Sequence, residues 1–262
     1  MPGLPFRFAE ESWVSLMDVA VDLQQSFWNR WNAESRERSR GDISLRQAEV
    51  VRSWLDRIGR RDLTILEVGC GAGWFCEELS RYGATTGTDL SDEVLARQAR
   101  RLPHVRFVPG DFMRLDFEPQ HYHVIVCLEV LSHVADQAAF MEKIASLLRP
   151  GGQLLMATQN KPVLRDHCAN IAPPAPGQLR KWVDAQELAE LASPHFVVEE
   201  LFSVSPVAHK WPRRLLTSYK VNHLLRPVLG DALRDFMEAR GWGWTLMLRA
   251  RRPELDAAAR PG

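Results

Sequence analysis

The sequence predicts an α/β protein built on a doubly wound, mostly parallel seven-stranded sheet, with helices added in front of it and a helical lid inserted near its end. Three observations point there. From Leu63 onward, short apolar runs alternate with helical stretches, the texture of parallel strands joined by crossover helices. A glycine-rich turn, Gly69-Cys70-Gly71-Ala72-Gly73, directly follows the first of these runs, and open sheets of this kind bind ligands at the carboxyl ends of their strands. Finally, a chain of 262 residues, 45% hydrophobic and 25% charged, can bury about 70% of its unfolded surface in one large domain.

Taken in order, the apolar residues Trp13, Leu16, Met17, Ala20, Leu23, Phe27, Trp28 and Trp31 fall three or four apart and predict a long N-terminal helix. A second helix starts at Ser44, where Gln47 three residues on suggests a capping box, and carries Ala48, Val51, Trp54, Leu55 and Ile58 up to Gly59. LTILEVG from Leu63 is the first strand, a helix runs from about Trp74 to Gly83, and ATTGTDL is the second strand. Ser91 caps a helix through Arg101, VRFVPGD is the third strand, and YHVIVCLEV, nearly all apolar, is a central fourth. Asp136 caps the next helix, which stops at Arg149-Pro150-Gly151-Gly152 before QLLMATQ, the fifth strand. Pro173, Pro174, Pro176 and Gly177 mark a loop ahead of a helix capped by Asp184 and Glu187. FVVEELFSV and WGWTLMLRA are the last two strands, and the long stretch between them is too large for a hairpin. The chain thus divides into a helical cap at 1–61, an α/β core at 62–160, and a remainder at 161–262 whose segment 205–241 forms the lid. A frayed tail follows Pro253.

Lysine plus arginine number 33 against 33 acids, so the chain lacks the global positive charge on which nonspecific nucleic-acid binding depends. Cys70, Cys76, Cys127 and Cys168 form no CxxC pair or zinc-like cluster, which indicates reduced thiols and no structural metal. The start of the chain has no apolar leader and no stretch is apolar enough to span a bilayer, so a cytoplasmic protein without stable membrane insertion is expected. Oligomers remain open.

The glycine turn narrows the ligand. A dinucleotide fingerprint needs a glycine where this chain has Trp74. Asp89 ends the second strand 20 residues after Gly69, where a carboxylate can accept ribose hydroxyls. Asp111 and Phe112, after the third strand, offer a carboxylate and a ring face to an adenine. Glu67, beneath the turn, repels phosphate but tolerates a cationic amino-acid portion. A nucleoside with an ammonium and a sulfonium and no phosphate is S-adenosylmethionine.

In order, LEVGCGAGWF, TGTDLS, PGDF, CLEVLSHV and LLRPGGQLLMAT resemble the successive motifs of class I S-adenosylmethionine-dependent methyltransferases. Within that class the chain is most similar to the ubiquinone-biosynthesis type of small-molecule O-methyltransferase, which also carries an acid and a histidine in the CLEVLSHV segment. The resemblance spans about 62–160 and implies a Rossmann-like methyltransferase core. It implies that Glu67, Gly69, Gly71 and Gly73 line the methionine portion of the cofactor, Asp89 the ribose, and Asp111 and Phe112 the adenine, with Cys70 and Leu90 also among the cofactor-binding residues. Leu128, Glu129 and Val130 would lie beside the sulfonium, with S-adenosylhomocysteine as the product.

Other residues admit two readings. His133 stands where a base could take a proton, or it buttresses a loop through a ring hydrogen bond. Trp28 and Trp31 either fold over the cofactor and substrate or simply pack. Trp182 and Tyr219 are candidate stacking surfaces for an aromatic acceptor, alongside Trp211 and Trp242. Cys70 contributes chiefly its backbone, and His121 and His123 lack a third ligand. The stretch from Leu201 to Gly230 has basic residues and no acid, fitting an anionic substrate, an acidic or membrane surface, or an exposed lid face. The expectation is methyl transfer to a hydroxyl of a small aromatic or apolar metabolite in biosynthesis. A small-molecule N-methyltransferase and a noncatalytic S-adenosylmethionine-binding regulator are the alternatives.

Overall fold

The computed structural model describes residues 21–36, 41–169, 171–211, 213–218 and 230–254. Its sheet holds β1 (Leu63–Val68), β2 (Gly83–Asp89), β3 (Arg106–Pro109), β4 (Tyr122–Leu128), β5 (Leu148–Gln159), β6 (Val197–Pro206) and β7 (Gly243–Arg251). The spatial order is β3-β2-β1-β4-β5-β7-β6. Only β7 runs against its neighbours, pairing antiparallel with both β5 and β6. The chain order reverses at β1 and β4, which opens a crevice at their carboxyl ends.

Strand β4 shows why the sheet is covered on both faces. Successive side chains of a strand point to opposite sides, and Val124 and Val126 join one apolar cluster while Ile125 and Cys127 join the other. On the first side lies α2 (Asp42–Ile58), which contributes Ala48, Val51, Trp54 and Leu55. On the second lie α5 (Gln137–Leu147) and α6 (Ala185–Ala192), through Phe140, Ile144 and Leu188. The expected caps of α5 and α6 are present. The Ala139 N–H donates to Asp136 Oδ1, and Asp184 and Glu187 close a full capping box.

Several local expectations are corrected. Helix α2 begins at Asp42 behind Gly41, so Ser44 and Gln47 make no capping box, and the Gln47 amide is engaged elsewhere. The helix after the glycine turn shrinks to one turn, α3 (Cys76–Leu79). Gly83 is already paired with Leu63 at the start of β2, leaving no chain for more. Ser91 precedes α4 (Asp92–Arg101) without capping it, because its hydroxyl donates to Asp89 Oδ1 at 2.6 Å. Turns, not a helix, link β3 to β4.

Of the predicted N-terminal helix, the described part is α1 (Val21–Trp31); Trp13 through Ala20 lie outside the described residues. None of its residues is fully buried. Polar ties fasten its end: the Asn29 amide donates to Asp92 Oδ1 at 2.9 Å and the Asn32 amide to Ser91 Oγ at 2.6 Å. Within the 205–241 segment the described helices are α7 (Arg213–Leu216) and α8 (Ala232–Ala239). Helix α8 is moored by Glu238, whose Oε2 accepts from Arg46 Nη2 of α2 at 2.8 Å. Among the described residues, no helix is long and apolar enough to cross a membrane.

Candidate active site

The crevice at the carboxyl ends of β1, β2 and β4 opens into a cavity of about 1090 Å³, at the upper end of the roughly 300–1,000 Å³ typical of ligand pockets. One end is made by the glycine turn. Gly69, Gly71 and Gly73 all have positive φ, at 71°, 53° and 64°, a conformation open to glycine at no steric cost. Gly69 also leaves no room for a side chain, since a Cβ would stand 2.1 Å from Val130 Cγ2. The side-chain position of Gly73 is filled by the Phe107 ring of β3, so this glycine also lets the turn pack closely against the neighbouring strand.

Asp89 braces this turn. Its Oδ2 accepts from the Gly71 N–H at 2.8 Å, and its Oδ1 accepts from the Ser91 N–H at 2.8 Å and the Ser91 hydroxyl. A carboxylate has roughly four lone-pair directions, so the turn consumes most of them. Asp89 therefore has less capacity for two ribose hydroxyls than its position alone suggests.

Glu67 ends β1 and is 3% exposed. Burial pushes its carboxyl up to about 8, against the Cys76 thiol, which donates to Oε2 at 2.8 Å. Near neutral pH this group is therefore poised between its protonated and charged forms, and a cationic ligand favours the charged one. Burial likewise raises the Cys70 thiol to about 11, which leaves it protonated and unfit as a nucleophile. All four cysteines are free thiols. Beyond the turn, Leu90, Asp111 and Phe112 line the same end; the Met113 N–H donates to Asp111 Oδ1 at 2.9 Å, and Phe112 packs edge-on against Phe140.

The other end is assembled from segments far apart in sequence. Leu128, Glu129 and Val130 leave β4, with Glu129 held at φ 63° by its N–H donating to Ala157 O. His133 follows on a 3-10 turn. Its Nδ1 lies 2.6 Å from Leu179 O; a carbonyl can only accept, so Nδ1 carries the proton and Nε2 keeps the lone pair. Burial drives the ring down to about 4, so it is neutral at physiological pH. Trp28 stands edge-on to it at 4.7 Å, and Trp31 borders the cavity nearby.

Two proposed substrate residues fall elsewhere. Trp182 does not line the cavity; it stands behind Gln159, donating its Nε1–H to Gln159 Oε1 at 2.8 Å. Tyr219 lies outside the described residues. None of the described residues of 205–241 lines the cavity, so its described part is not a lid over this space. Trp211 borders a separate small hollow, and Trp242 packs against Phe236. His123 is taken up by Thr64 and Arg149. The sequence reading missed Asn32, Gln47, Gln159, Leu179 and Trp244, which all line the cavity. No periodic pattern marks them, because they meet only through long-range packing.

The cavity tests the cofactor directly. No lysine or arginine lines it among the described residues, so nothing is placed to neutralise a phosphate, whereas Glu67, Asp89 and Asp111 suit a nucleoside bearing positive charge. The methyltransferase domain family matches residues 43–195. The chain is 27% identical over 177 residues to the ubiquinone biosynthesis O-methyltransferase of Neisseria meningitidis serogroup C, covering 62% of this chain and 73% of that protein. With the enzyme of the same name from Pseudomonas paraeruginosa it shares 33% identity over 140 residues, covering 50% and 58%. The N-methyltransferase NodS from Bradyrhizobium japonicum, solved with S-adenosylhomocysteine, superposes with a TM-score of 0.61 over 89% of this chain and all of that one at 17% identity, a likeness of fold. The chain belongs to the methyltransferase domain family and is an S-adenosylmethionine-dependent methyltransferase.

Proposed function

We propose that this enzyme methylates a hydroxyl group of a small aromatic or apolar acceptor. The observation that carries the reading is the neutral His133, whose ring is fixed on Leu179 O beneath Trp28 with its Nε2 lone pair unprotonated. When bound, S-adenosylmethionine supplies a methyl group on a sulfonium, already an activated leaving group. The chain's part is then to hold, align and deprotonate. Glu67, Gly69, Cys70 and Gly71 surround the methionine portion, Asp89 and Leu90 the ribose, Asp111 and Phe112 the adenine, and Leu128, Glu129 and Val130 border the reacting end.

His133 Nε2 would accept the hydrogen bond of the acceptor hydroxyl, orient an oxygen lone pair toward the cofactor end, and hold the proton that the hydroxyl gives up as the sulfonium yields its methyl group to that oxygen. Alignment supplies much of the rate in such an in-line displacement, with base assistance adding about 10²-fold or more. Trp28 and Trp244 provide apolar walls that exclude water. Similarity to two O-methyltransferases supports oxygen as the target.

The test is incubation with S-adenosylmethionine and a panel of phenols and catechols, reading S-adenosylhomocysteine formation and product mass. An O-methyl product is expected. Methyl transfer confined to nitrogen, or cofactor binding without turnover on any acceptor, would overturn the assignment.

A further inference from the structure

One short strap aims two groups on the cavity wall. The segment 179–183 is tied to residues just past β4 and β5: the Lys181 N–H donates to Ser132 O at 2.7 Å, Lys181 O accepts from Gln137 Nε2 at 2.9 Å, and Val183 O accepts from the Lys161 N–H at 3.0 Å. From this strap Leu179 O fixes the ring of His133, and the Trp182 indole reaches Gln159, the last residue of β5.

Gln159 is thereby a directed donor. An indole N–H can only donate, so the atom 2.8 Å from Trp182 Nε1 is the amide oxygen, and the Nε2 end turns the other way. Gln159 lines the cavity and Trp182 does not, so that end faces the cavity. Among the described residues nothing accepts from Gln159 Nε2. The indole is itself fixed, packed on the apolar cluster of Val163, Leu164 and Cys168 with the Arg180 guanidinium 5.4 Å from its ring centroid. Asn32 and Gln47 also line the cavity, but their amide nitrogens donate to Ser91, and to Glu129 and Thr245. Gln178 has its oxygen turned onto the Ala175 N–H and Arg180.

We propose that Gln159 is a specificity-determining residue: its Nε2–H donates to a second oxygen of the acceptor, which is a phenol carrying a further hydroxyl, ether or carbonyl oxygen, and Trp182 is the residue that positions it. This rests on the hydroxyl-methylation reading above and narrows its substrate class. The strap gives the two oxygens different roles. The one on His133 Nε2 must bring a proton, whereas the one on Gln159 needs only a lone pair. The oxygen on His133 gives up its proton to that ring as it takes the methyl group, and the oxygen on Gln159 stays unmethylated.

Calorimetry on the full chain saturated with S-adenosylhomocysteine tests this with phenol, the three dihydroxybenzene isomers and, for the isomer that binds best, its monomethyl ether and the matching ethylphenol. That isomer and its ether should each bind about three- to tenfold more tightly than phenol and the ethylphenol, the return of one neutral hydrogen bond. Gln159→Leu should erase the advantage. Trp182→Phe, which keeps a packed ring without the N–H, should shrink it, and Gln178→Leu should preserve it. A purely structural loss weakens all the compounds alike, so the ratio of ether to ethylphenol is the readout. A ratio near one in the wild type, a ratio that survives Gln159→Leu or is untouched by Trp182→Phe, or one lost with Gln178→Leu would overturn the proposal. S-adenosylhomocysteine formation and product mass with the same compounds separate the two readings. The binding advantage without an O-methyl product upholds Gln159 and sinks hydroxyl methylation. O-methylation of the ether and the ethylphenol at equal kcat/KM upholds methylation and sinks the role of Gln159.

Discussion

The two ends of the cavity are built by different means. The cofactor end is backbone: three glycines at positive φ, a strand end, and a carboxylate that ties the turn through the Gly71 N–H. Its parts lie within 67–112, on adjoining strands. The acceptor end is side chain: Trp28 from α1, Gln47 from α2, Glu129 and His133 after β4, Leu179 from a loop, and Trp244 from β7. The difference teaches that a nucleoside site can be set by short-range turn geometry, whereas acceptor selection waits for five distant segments to converge.

The largest test asks whether the ends are separable. They meet where Gly69 touches Val130, so Gly69→Ala drives a Cβ into that side chain and strains a φ of 71°. It should cost about 3 kcal/mol, a fall in Tm of roughly 6–12 °C for a chain of this size. Differential scanning calorimetry reads this; a wild-type Tm would show that Val130 yields freely and that the ends are uncoupled.

Next, His133→Ala should lower kcat by about 100-fold while leaving S-adenosylmethionine affinity unchanged, since the ring belongs to the acceptor end. In the wild type, His133 adds no inflection to the rate between pH 6 and 8, because a base with pKa about 4 is lost only as pH falls through that value. A rate that falls as pH drops from 7 to 6, and no longer does so in the alanine variant, would contradict this.

At the cofactor end, Asp89→Ala should raise the S-adenosylmethionine Kd by at least about tenfold, since a charge-assisted hydrogen bond is worth about 1.5–3 kcal/mol. Because Asp89 also accepts from Gly71 and Ser91, the glycine turn should loosen too, read as faster amide exchange at Gly71. Unchanged affinity would remove Asp89 from the ribose.

The smallest effect concerns Glu67. With its carboxyl raised to about 8 in the free enzyme, binding of a cation lowers that pKa and expels a proton. Affinity for S-adenosylmethionine should therefore rise with pH through the range just below 8, by at most about one log unit per pH unit. Glu67→Gln should flatten the slope. Calorimetry in buffers of different ionisation enthalpy counts the proton, and a slope that persists in the variant would place the titrating group elsewhere.

Strands and the glycine turn were legible because their signals are local: alternating or continuous apolar runs, and glycines at spacings that only a tight turn needs. Capping was legible where it is closed by neighbours, as at Asp136 and Asp184. It failed at Ser44, where Gln47 is drawn to the distant Glu129, and at Ser91, whose hydroxyl donates to Asp89 two residues before it and accepts from the distant Asn32 amide. The packing of Gly73 was not legible, since the Phe107 ring that occupies its side-chain position comes from another strand.

From the order of its residues alone, this chain determines the seven-stranded sheet, the phosphate-free nucleoside site and the methyltransferase family, because strand period and turn chemistry act over a few neighbouring residues. Tertiary structure alone decided that the described part of 205–241 stays off the cavity, that Trp244 lines it where Trp182 does not, and that His133 is neutral with its proton on Nδ1. Burial and cross-element hydrogen bonds set those features, and both arise only when segments far apart in the chain are folded against one another.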